Sequence, residues 1–265
     1  MCLAAIAWKL HPRYAAVVIA NRDEYHARPT RPIEVWEDAP AILAGRDLQA
    51  GGTWLGVTSR ARFGLVTNFR ELSSQTRAAL PSRGRLIPEF LTGEQTASSY
   101  LGALAHSADD YAGFNMLLCD GAQLWYASNR AKEFAQQLGP GHYGLCNHLL
   151  DTPWPKLAKL RRVLGDWASS GTTDLEPLWS ALGDRRRAAE HTLPATGVST
   201  EWESILSSAF VQHPDYGTRC TTILLLDHDG HWSIEERSFD ATGEPCAALA
   251  WRANNGSWPP DRLAL

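Results

Sequence analysis

Positive charge is scarce in this chain of 265 residues: 25 Lys and Arg stand against 29 Asp and Glu, a formal net charge of -4. A phosphate backbone asks for an excess of basic residues, so nucleic acid is not an expected partner. Long apolar runs are missing too. No stretch reaches the about 18 residues that a membrane-spanning helix needs. The apolar start MCLAAIAW has no basic segment and breaks at Lys9-Leu10-His11-Pro12, so no signal peptide is expected either. The five cysteines (Cys2, Cys119, Cys146, Cys220 and Cys246) are odd in number, far apart and without a Cys-x-x-Cys pair. That spacing excludes a disulfide framework and a zinc ribbon, and predicts a reducing, cytoplasmic setting.

Familiar cofactor and nucleophile signatures are absent as well. The nine histidines are scattered with no ligand spacing that selects a metal, and no Cys-x-x-Cys-His attachment site occurs. There is no Gly-x-Ser-x-Gly elbow, Walker loop or His-Glu-x-x-His. The run Gly139-Pro140-Gly141-His142-Tyr143-Gly144 matches Gly-x-Gly-x-x-Gly literally. A helix-like segment precedes it and a strand-like one follows, the reverse of a dinucleotide fingerprint, so it reads as a loop.

What the chain does have is ordinary globular composition, 44% hydrophobic and 20% charged, and it is expected to form one domain over residues 1–265. Residues 2–8 and 14–20 are apolar on both faces and predict a central β-hairpin covered on each side. Further strands are expected at 53–58, 63–67, 114–119, 123–127 and 142–146. A last hairpin, 221–226 with 231–239, turns through Asp227-His228-Asp229-Gly230. The best helix is 153–170, with Trp154, Leu157, Leu160, Leu164 and Trp167 on one stripe, Thr152 as N-cap and Gly171 beyond its end. Weaker helices are expected at 83–92, 96–105, 175–182 and 200–208. Strands, then helices, then strands again predict an α+β fold of mainly antiparallel sheets with helices on their outer faces.

A turn centred near His11 sets Cys2 opposite Ala20, and puts Arg22 on the face of Cys2 at the sheet's end; a slip of one residue would bring Asp23 there instead. Cysteine is a small second residue, of the kind after which the initiator methionine is removed. Maturation then leaves Cys2 with an α-amine whose ordinary pKa, about 7.7 to 8.0, lets it take the thiol proton. Arg22 favours the thiolate and Asp23 holds the ammonium so formed. That chemistry acts on amide or ester bonds.

Beyond the hairpin the chain carries an ordered set of short runs. They are Asn21-Arg22-Asp23-Glu24, Arg28-Pro29-Thr30, Ala44-Gly45-Arg46-Asp47, Gly51-Gly52-Thr53-Trp54-Leu55-Gly56, Val66-Thr67-Asn68-Phe69-Arg70, Ser82-Arg83-Gly84, Gly144-Leu145-Cys146-Asn147, Leu150-Asp151-Thr152-Pro153-Trp154-Pro155-Lys156 and Tyr216-Gly217-Thr218-Arg219. With the opening MCL, these runs resemble the transport and Golgi organisation 2 family, also called NRDE. That family in turn resembles the cysteine branch of N-terminal-nucleophile hydrolases.

The resemblance implies a four-layer αββα sandwich with a site made of Cys2, Arg22, Asp23, Asn68, Asn147 and Arg219. The two asparagines would donate to an oxyanion, and Arg219 would hold the site's carboxylate or a substrate anion. In the hydrolase class the Arg and Asp are separated by two residues, whereas Arg22 and Asp23 are adjacent, so pointing both into one cleft calls for a bulge. Two functions follow: hydrolysis or transfer of an acyl group from a small amide or ester, with no cofactor required, or cytosolic trafficking of haem or a lipid-like ligand on the same scaffold, with haem as cargo. The second follows from the family's association with haem trafficking and, in animals, with Golgi and lipid homeostasis.

Overall fold

The computed structural model describes residues 2–71, 80–254 and 256–264, with Cys2 described by its backbone alone. Two seven-stranded sheets form the centre, and every strand pair in them is antiparallel. The first runs β10 (Gly141–Leu145), β1 (Cys2–Trp8), β2 (Tyr14–Tyr25), β11 (Tyr216–Asp227), β12 (Trp232–Phe239), β13 (Pro245–Ala253) and β14 (Asp261–Leu263). The second follows chain order: β3 (Thr30–Val35), β4 (Ile42–Asp47), β5 (Leu55–Thr58), β6 (Phe63–Asn68), β7 (Phe114–Cys119), β8 (Leu124–Ser128) and β9 (Ala135–Leu138).

The hairpin's double-sided apolar pattern is explained by what covers each face. Along β1 and β2 the even-numbered Ala4, Ile6, Trp8, Ala16, Val18 and Ala20 pack between the sheets against Leu55, Phe63, Leu65 and Leu117. The odd-numbered Leu3, Ala5, Ala7, Val17 and Ile19 pack outward under α3 (Pro155–Ser170) and α4 (Glu176–Leu182). On the second sheet's outer face, α1 (Leu86–Thr92) and α2 (Ala97–Leu104) cover Ile42, Ala44, Val66, Met116 and Leu118. The result is the helix–sheet–sheet–helix layering. Burial of Leu157, Leu160 and Leu164 beneath α3 stabilises one outer layer by about 1.5–3 kcal/mol for each leucine.

Several local details differ from the sequence expectation. The pairing of β1 with β2 sets Cys2 opposite Arg22 and Ala4 opposite Ala20, so the turn is centred one residue later than His11. The register moves by two, and Arg22 keeps the face of Cys2. α3 begins at Pro155 with Trp154 as N-cap rather than at Pro153 with Thr152; the hydroxyl of Thr152 instead donates to the Leu149 carbonyl at 2.7 Å. The segment before Gly139 is strand β9, not helix, and of the run read as a loop only Gly139 and Pro140 connect β9 to β10, while Gly141 and Gly144 lie within β10. Strands β3, β4, β13 and β14 carry Pro, Gly, Arg, Asp and Ala in place of an apolar alternation, which hid them.

Glycines allow the loop around Gly51-Gly52 to close onto the segment at Ser82-Arg83-Gly84. A Cβ on Gly52 would lie 2.3 Å from the backbone carbonyl of Gly84, beside the hydrogen bond from Thr53 N–H to that carbonyl at 3.0 Å. Backbone cannot move aside as a side chain can. Gly52→Ala is expected to lower the unfolding free energy by about 2–3 kcal/mol, read as a drop in urea midpoint with unchanged slope; an unchanged midpoint would show that this approach is not tight.

Candidate functional site

The run Asn21-Arg22-Asp23-Glu24 lies near the end of β2, its first two residues paired with β1 and its last two beyond that pairing, and the strand turns successive side chains to opposite faces. Asn21 points to the helical side, where its Nδ2 donates to the carbonyls of Leu182 (2.9 Å) and Ala209 (2.8 Å), and its Oδ1 accepts from Thr221 Oγ1 at 2.7 Å. These bonds tie the end of α4 and the segment at Ala209 to the sheet. Arg22 points between the sheets. Its guanidinium lies 4.3 Å from the Trp54 ring centroid, Nη1 donates to Thr30 Oγ1 at 3.1 Å, and Nη2 lies 3.5 Å from Asp47 Oδ2. Each of these partners sits in one of the short runs. Gly45 makes the arrangement feasible, because a Cβ there would fall 2.2 Å from the Trp54 ring.

Asp23 returns to the helical face and is buried. Its Oδ1 accepts from Thr218 Oγ1 at 2.7 Å, and its backbone carbonyl accepts from Tyr216 Oη at 2.9 Å. Burial pushes its carboxyl above the ordinary range, opposed by the charges of Lys156 and Arg70 and by the Thr218 hydroxyl. Arg22 and Asp23 therefore face opposite sides of the sheet. A bulge does occur here, but in the partner strand β11 between Thr218 and Cys220, and it leaves the alternation of β2 intact.

Asn147 follows β10, whose register with β1 pairs Ala4 with Leu145; continued along the strand, it sets Asn147 level with Cys2. The Asn147 side chain is buried, and its Nδ2 donates to the Asn68 carbonyl at 2.9 Å while its own carbonyl accepts from Arg70 N–H at 2.7 Å. Thr67 Oγ1 donates to the Cys146 carbonyl at 2.6 Å, so the end of β6 in one sheet is stitched to the end of β10 in the other. The structure thus brings Arg22, Asn68 and Asn147 to the end of the sandwich at which β1 begins. The side chain of Cys2 and the whole of Met1 lie outside the described atoms.

Arg219 sits on the β11 bulge. Its Nη1 donates to the carbonyls of Tyr25 (3.1 Å), His26 (3.2 Å) and Arg28 (3.3 Å), which ties down the turn between β2 and β3. Burial lowers its pKa, and the nearby Arg22 charge lowers it further. Its described partners are carbonyls of the chain rather than a carboxylate.

Sequence reasoning missed Glu236. It is buried on β12 facing the other sheet; its Oε1 accepts from Ile33 N–H at 2.8 Å and its Oε2 from Thr222 Oγ1 at 3.4 Å. Burial raises its pKa against the Ile33 N–H, the Cys220 and Thr222 side chains and the charge of Arg22. Among the described residues no three His, Cys, Asp or Glu side chains group as a metal site, and no helix is long and apolar enough to cross a membrane.

Two facing antiparallel sheets between helical layers, with the chain's second residue at the head of a central strand, define the N-terminal-nucleophile hydrolase fold. A mutant conjugated bile acid hydrolase from Clostridium perfringens shares this fold, with a TM-score of 0.50 and 9% identity over 100% of this chain and 97% of that one. The chain belongs to the transport and Golgi organisation 2 family, whose sequence model matches residues 1–241. It is 34% identical over 260 residues to the human transport and Golgi organization protein 2 homolog, covering 90% of this chain and 93% of that protein. Against the Drosophila melanogaster transport and Golgi organization protein 2 the identity is 24%, with coverage of 90% and 92%.

The raised pKa of Asp23 has a definite sign in stability. A carboxyl whose folded pKa exceeds its unfolded one contributes stability that is fully present below the unfolded pKa of about 3.9 and lost as pH rises through the folded value. Native protein measured against Asp23→Asn by urea denaturation at pH 4, 6 and 8 should therefore lose stability relative to the variant as pH rises. A difference independent of pH would show that Asp23 does not titrate abnormally in the fold.

Proposed function

We propose that the mature protein is a thiol acylhydrolase or acyltransferase acting on a small amide or ester through Cys2. The observation that carries this reading is the backbone register that sets Cys2 opposite Arg22, a buried arginine facing the space between the sheets. The hydrolase scaffold shared with the bile acid hydrolase agrees with it.

Removal of Met1 exposes the α-amine of Cys2. The residue of β2 just past Arg22 is Asp23, which places a carboxyl level with that amine once the register is continued. The neutral amine takes the thiol proton, and the thiolate, favoured by the Arg22 charge, attacks the substrate carbonyl. A C–S bond forms as the carbonyl electron pair moves onto oxygen. Asn147 has one amide N–H on the Asn68 carbonyl and a second to offer that oxyanion, while the side chain of Asn68 supplies a further donor. Collapse of the oxyanion breaks the C–N or C–O bond, and the leaving group departs with the proton held on the α-ammonium. Water, deprotonated by the same amine, then attacks the thioester; the C–S bond breaks and the thiolate recovers its proton. With another nucleophile in place of water the outcome is acyl transfer.

Asp47 and Trp54 position Arg22, while Asp23 acts from the other face of the sheet. This division assigns the thiolate to Arg22 and the ammonium to Asp23 without asking the two side chains to meet.

Intact mass of the purified protein should show loss of Met1, and iodoacetamide should label Cys2 faster than the other cysteines. Of those, Cys119, Cys146 and Cys220 are buried and Cys246 is exposed. Arg22→Met should slow labelling of Cys2 about tenfold near neutral pH, the effect of a thiol pKa raised by about one unit. A retained Met1, or labelling of Cys2 no faster than that of Cys246, would remove the nucleophile and turn attention to the haem or lipid-like carrier function on this scaffold.

A further inference from the structure

The proposed chemistry uses neither Arg70 nor Lys156, the last residues of two of the short runs. Val66-Thr67-Asn68-Phe69-Arg70 ends in Arg70 and Leu150-Asp151-Thr152-Pro153-Trp154-Pro155-Lys156 ends in Lys156, and the fold brings these two cations to the walls of one small cavity. Both are more than nine-tenths buried, at 7% exposure each. Both also act electrostatically on Asp23, so the cavity lies on the helical face behind the row that pairs Cys2 with Arg22.

Three sets of donors at this corner are left over. Arg70 Nη1 is spent on Glu203 Oε2 at 2.9 Å and on Thr196 Oγ1 at 3.3 Å, but its Nε is buried without a hydrogen-bond partner. The Lys156 ammonium makes no hydrogen bond or ion pair among the described residues. The first turn of α3, a helix of 16 residues, begins at Pro155 behind an N-cap, Trp154, that offers no side-chain cap. Its N–H groups and the positive end of the helix dipole thus stay open to an acceptor. A lysine at the N-terminus of a helix is electrostatically unfavourable unless negative charge lies beside it, and the carboxyl that Lys156 acts on is Asp23.

The negative charge already present is limited. Glu203 is saturated by Arg70, by Thr196 N–H at 2.8 Å and by the Thr196 hydroxyl. Asp23 accepts from the Thr218 hydroxyl, and burial raises its pKa against the charges of Lys156 and Arg70. Two cations and a helix terminus therefore face two carboxyls, Glu203 and Asp23, neither of which satisfies Arg70 Nε. The cavity, about 10 Å³, admits a single water-sized atom. One oxygen of a carboxylate fits that space and that charge. A phosphate dianion does not, since its second charge would confront Glu203 in the cavity wall.

We propose that this corner is a carboxylate subsite, in which one oxygen is held by Lys156 Nζ, Arg70 Nε and the open first turn of α3. That the carboxylate belongs to the acyl substrate rests on the thiol chemistry proposed above; the binding itself does not. The acyl donor is then an amide or ester bearing a carboxylate, with Lys156 determining specificity.

The test uses the full chain and sodium formate as the probe at constant ionic strength. Formate at about ten times its dissociation constant should raise the unfolding midpoint by about 3 °C in the native protein and equally in Cys2→Ala. The shift should vanish in Lys156→Met and return in Lys156→Arg, and inorganic phosphate should give none. An equal shift in Lys156→Met, or none in the native protein, would show that the cavity holds only water and overturn the subsite. If Lys156→Met does not fold, saturable broadening of the 13C-formate resonance by the native protein supports the subsite and its absence overturns it. Substrate and free carboxylate are separated by Cys2 acylation with a carboxylate-tailed activated ester and its neutral methyl ester. The charged ester should show a KM about tenfold lower, a preference lost in Lys156→Met; equal KM values would overturn the substrate assignment. Formate binding with an unreactive Cys2 would sink the thiol chemistry alone, and a reactive Cys2 without formate binding would sink the subsite alone.

Discussion

Alternation along a single strand, β2, organises the rest of this protein. Because neighbouring side chains on a strand face opposite ways, the four residues Asn21 to Glu24 reach three different environments within four positions. Asn21 fastens the outer helices, Arg22 enters the space between the sheets, Asp23 returns to the helical side, and Glu24 meets solvent near the Arg28 side chain at 3.8 Å. The run is therefore a fastening through the thickness of the sheet. Each member is fixed by partners far away in sequence, and none can be exchanged for its neighbour, since a slip by one residue would invert every assignment.

Arg22 shows how the second sheet is built to receive that strand. A buried guanidinium is costly unless its charge and its flat faces both find partners. Here Asp47 supplies the charge, the Thr30 hydroxyl an acceptor and the Trp54 ring a flat surface. Asp47 is itself held by the Arg28 Nε at 2.6 Å and by the backbone N–H groups of Gln49 and Ala50, each at 3.0 Å. The runs around Arg28, Gly45 and Trp54 thus act as one socket. Glu236 adds a second buried carboxyl across the same space, joining β12 to β3 through the Ile33 N–H. These contacts, with the bridge from Thr67 to the Cys146 carbonyl, fix how the two sheets meet at the end where β1 starts.

On the helical side a second polar centre forms from Asp23, Arg70, Lys156 and Glu203. It is separated from Arg22 by the thickness of one sheet, yet it joins the same strand ends, because Arg70 N–H bonds to the Asn147 carbonyl and Asn147 in turn to that of Asn68. The proposed thiol chemistry between the sheets and the proposed carboxylate binding behind them would in this way belong to one strand end.

Much of this was legible in the sequence. The double-sided hairpin, the apolar stripe of α3 and the Asp-Gly turn before β12 follow from local periodicity and turn chemistry, which need no knowledge of distant residues. The parity of Cys2 and Arg22 was legible too, because a register error of two residues leaves the faces unchanged. Tertiary structure alone decided the rest. Strands β3, β4, β13 and β14 exist because the sheets supply their partners, not because their residues favour extended chain. Adjacent Arg22 and Asp23 diverge because the bulge fell in β11, a choice made by the strand opposite. Arg219 spends Nη1 on three carbonyls, Glu236 crosses to Ile33, and Lys156 is buried beside Arg70. A sequence states which charges a chain carries; only packing decides which of them lose their water and what they meet instead.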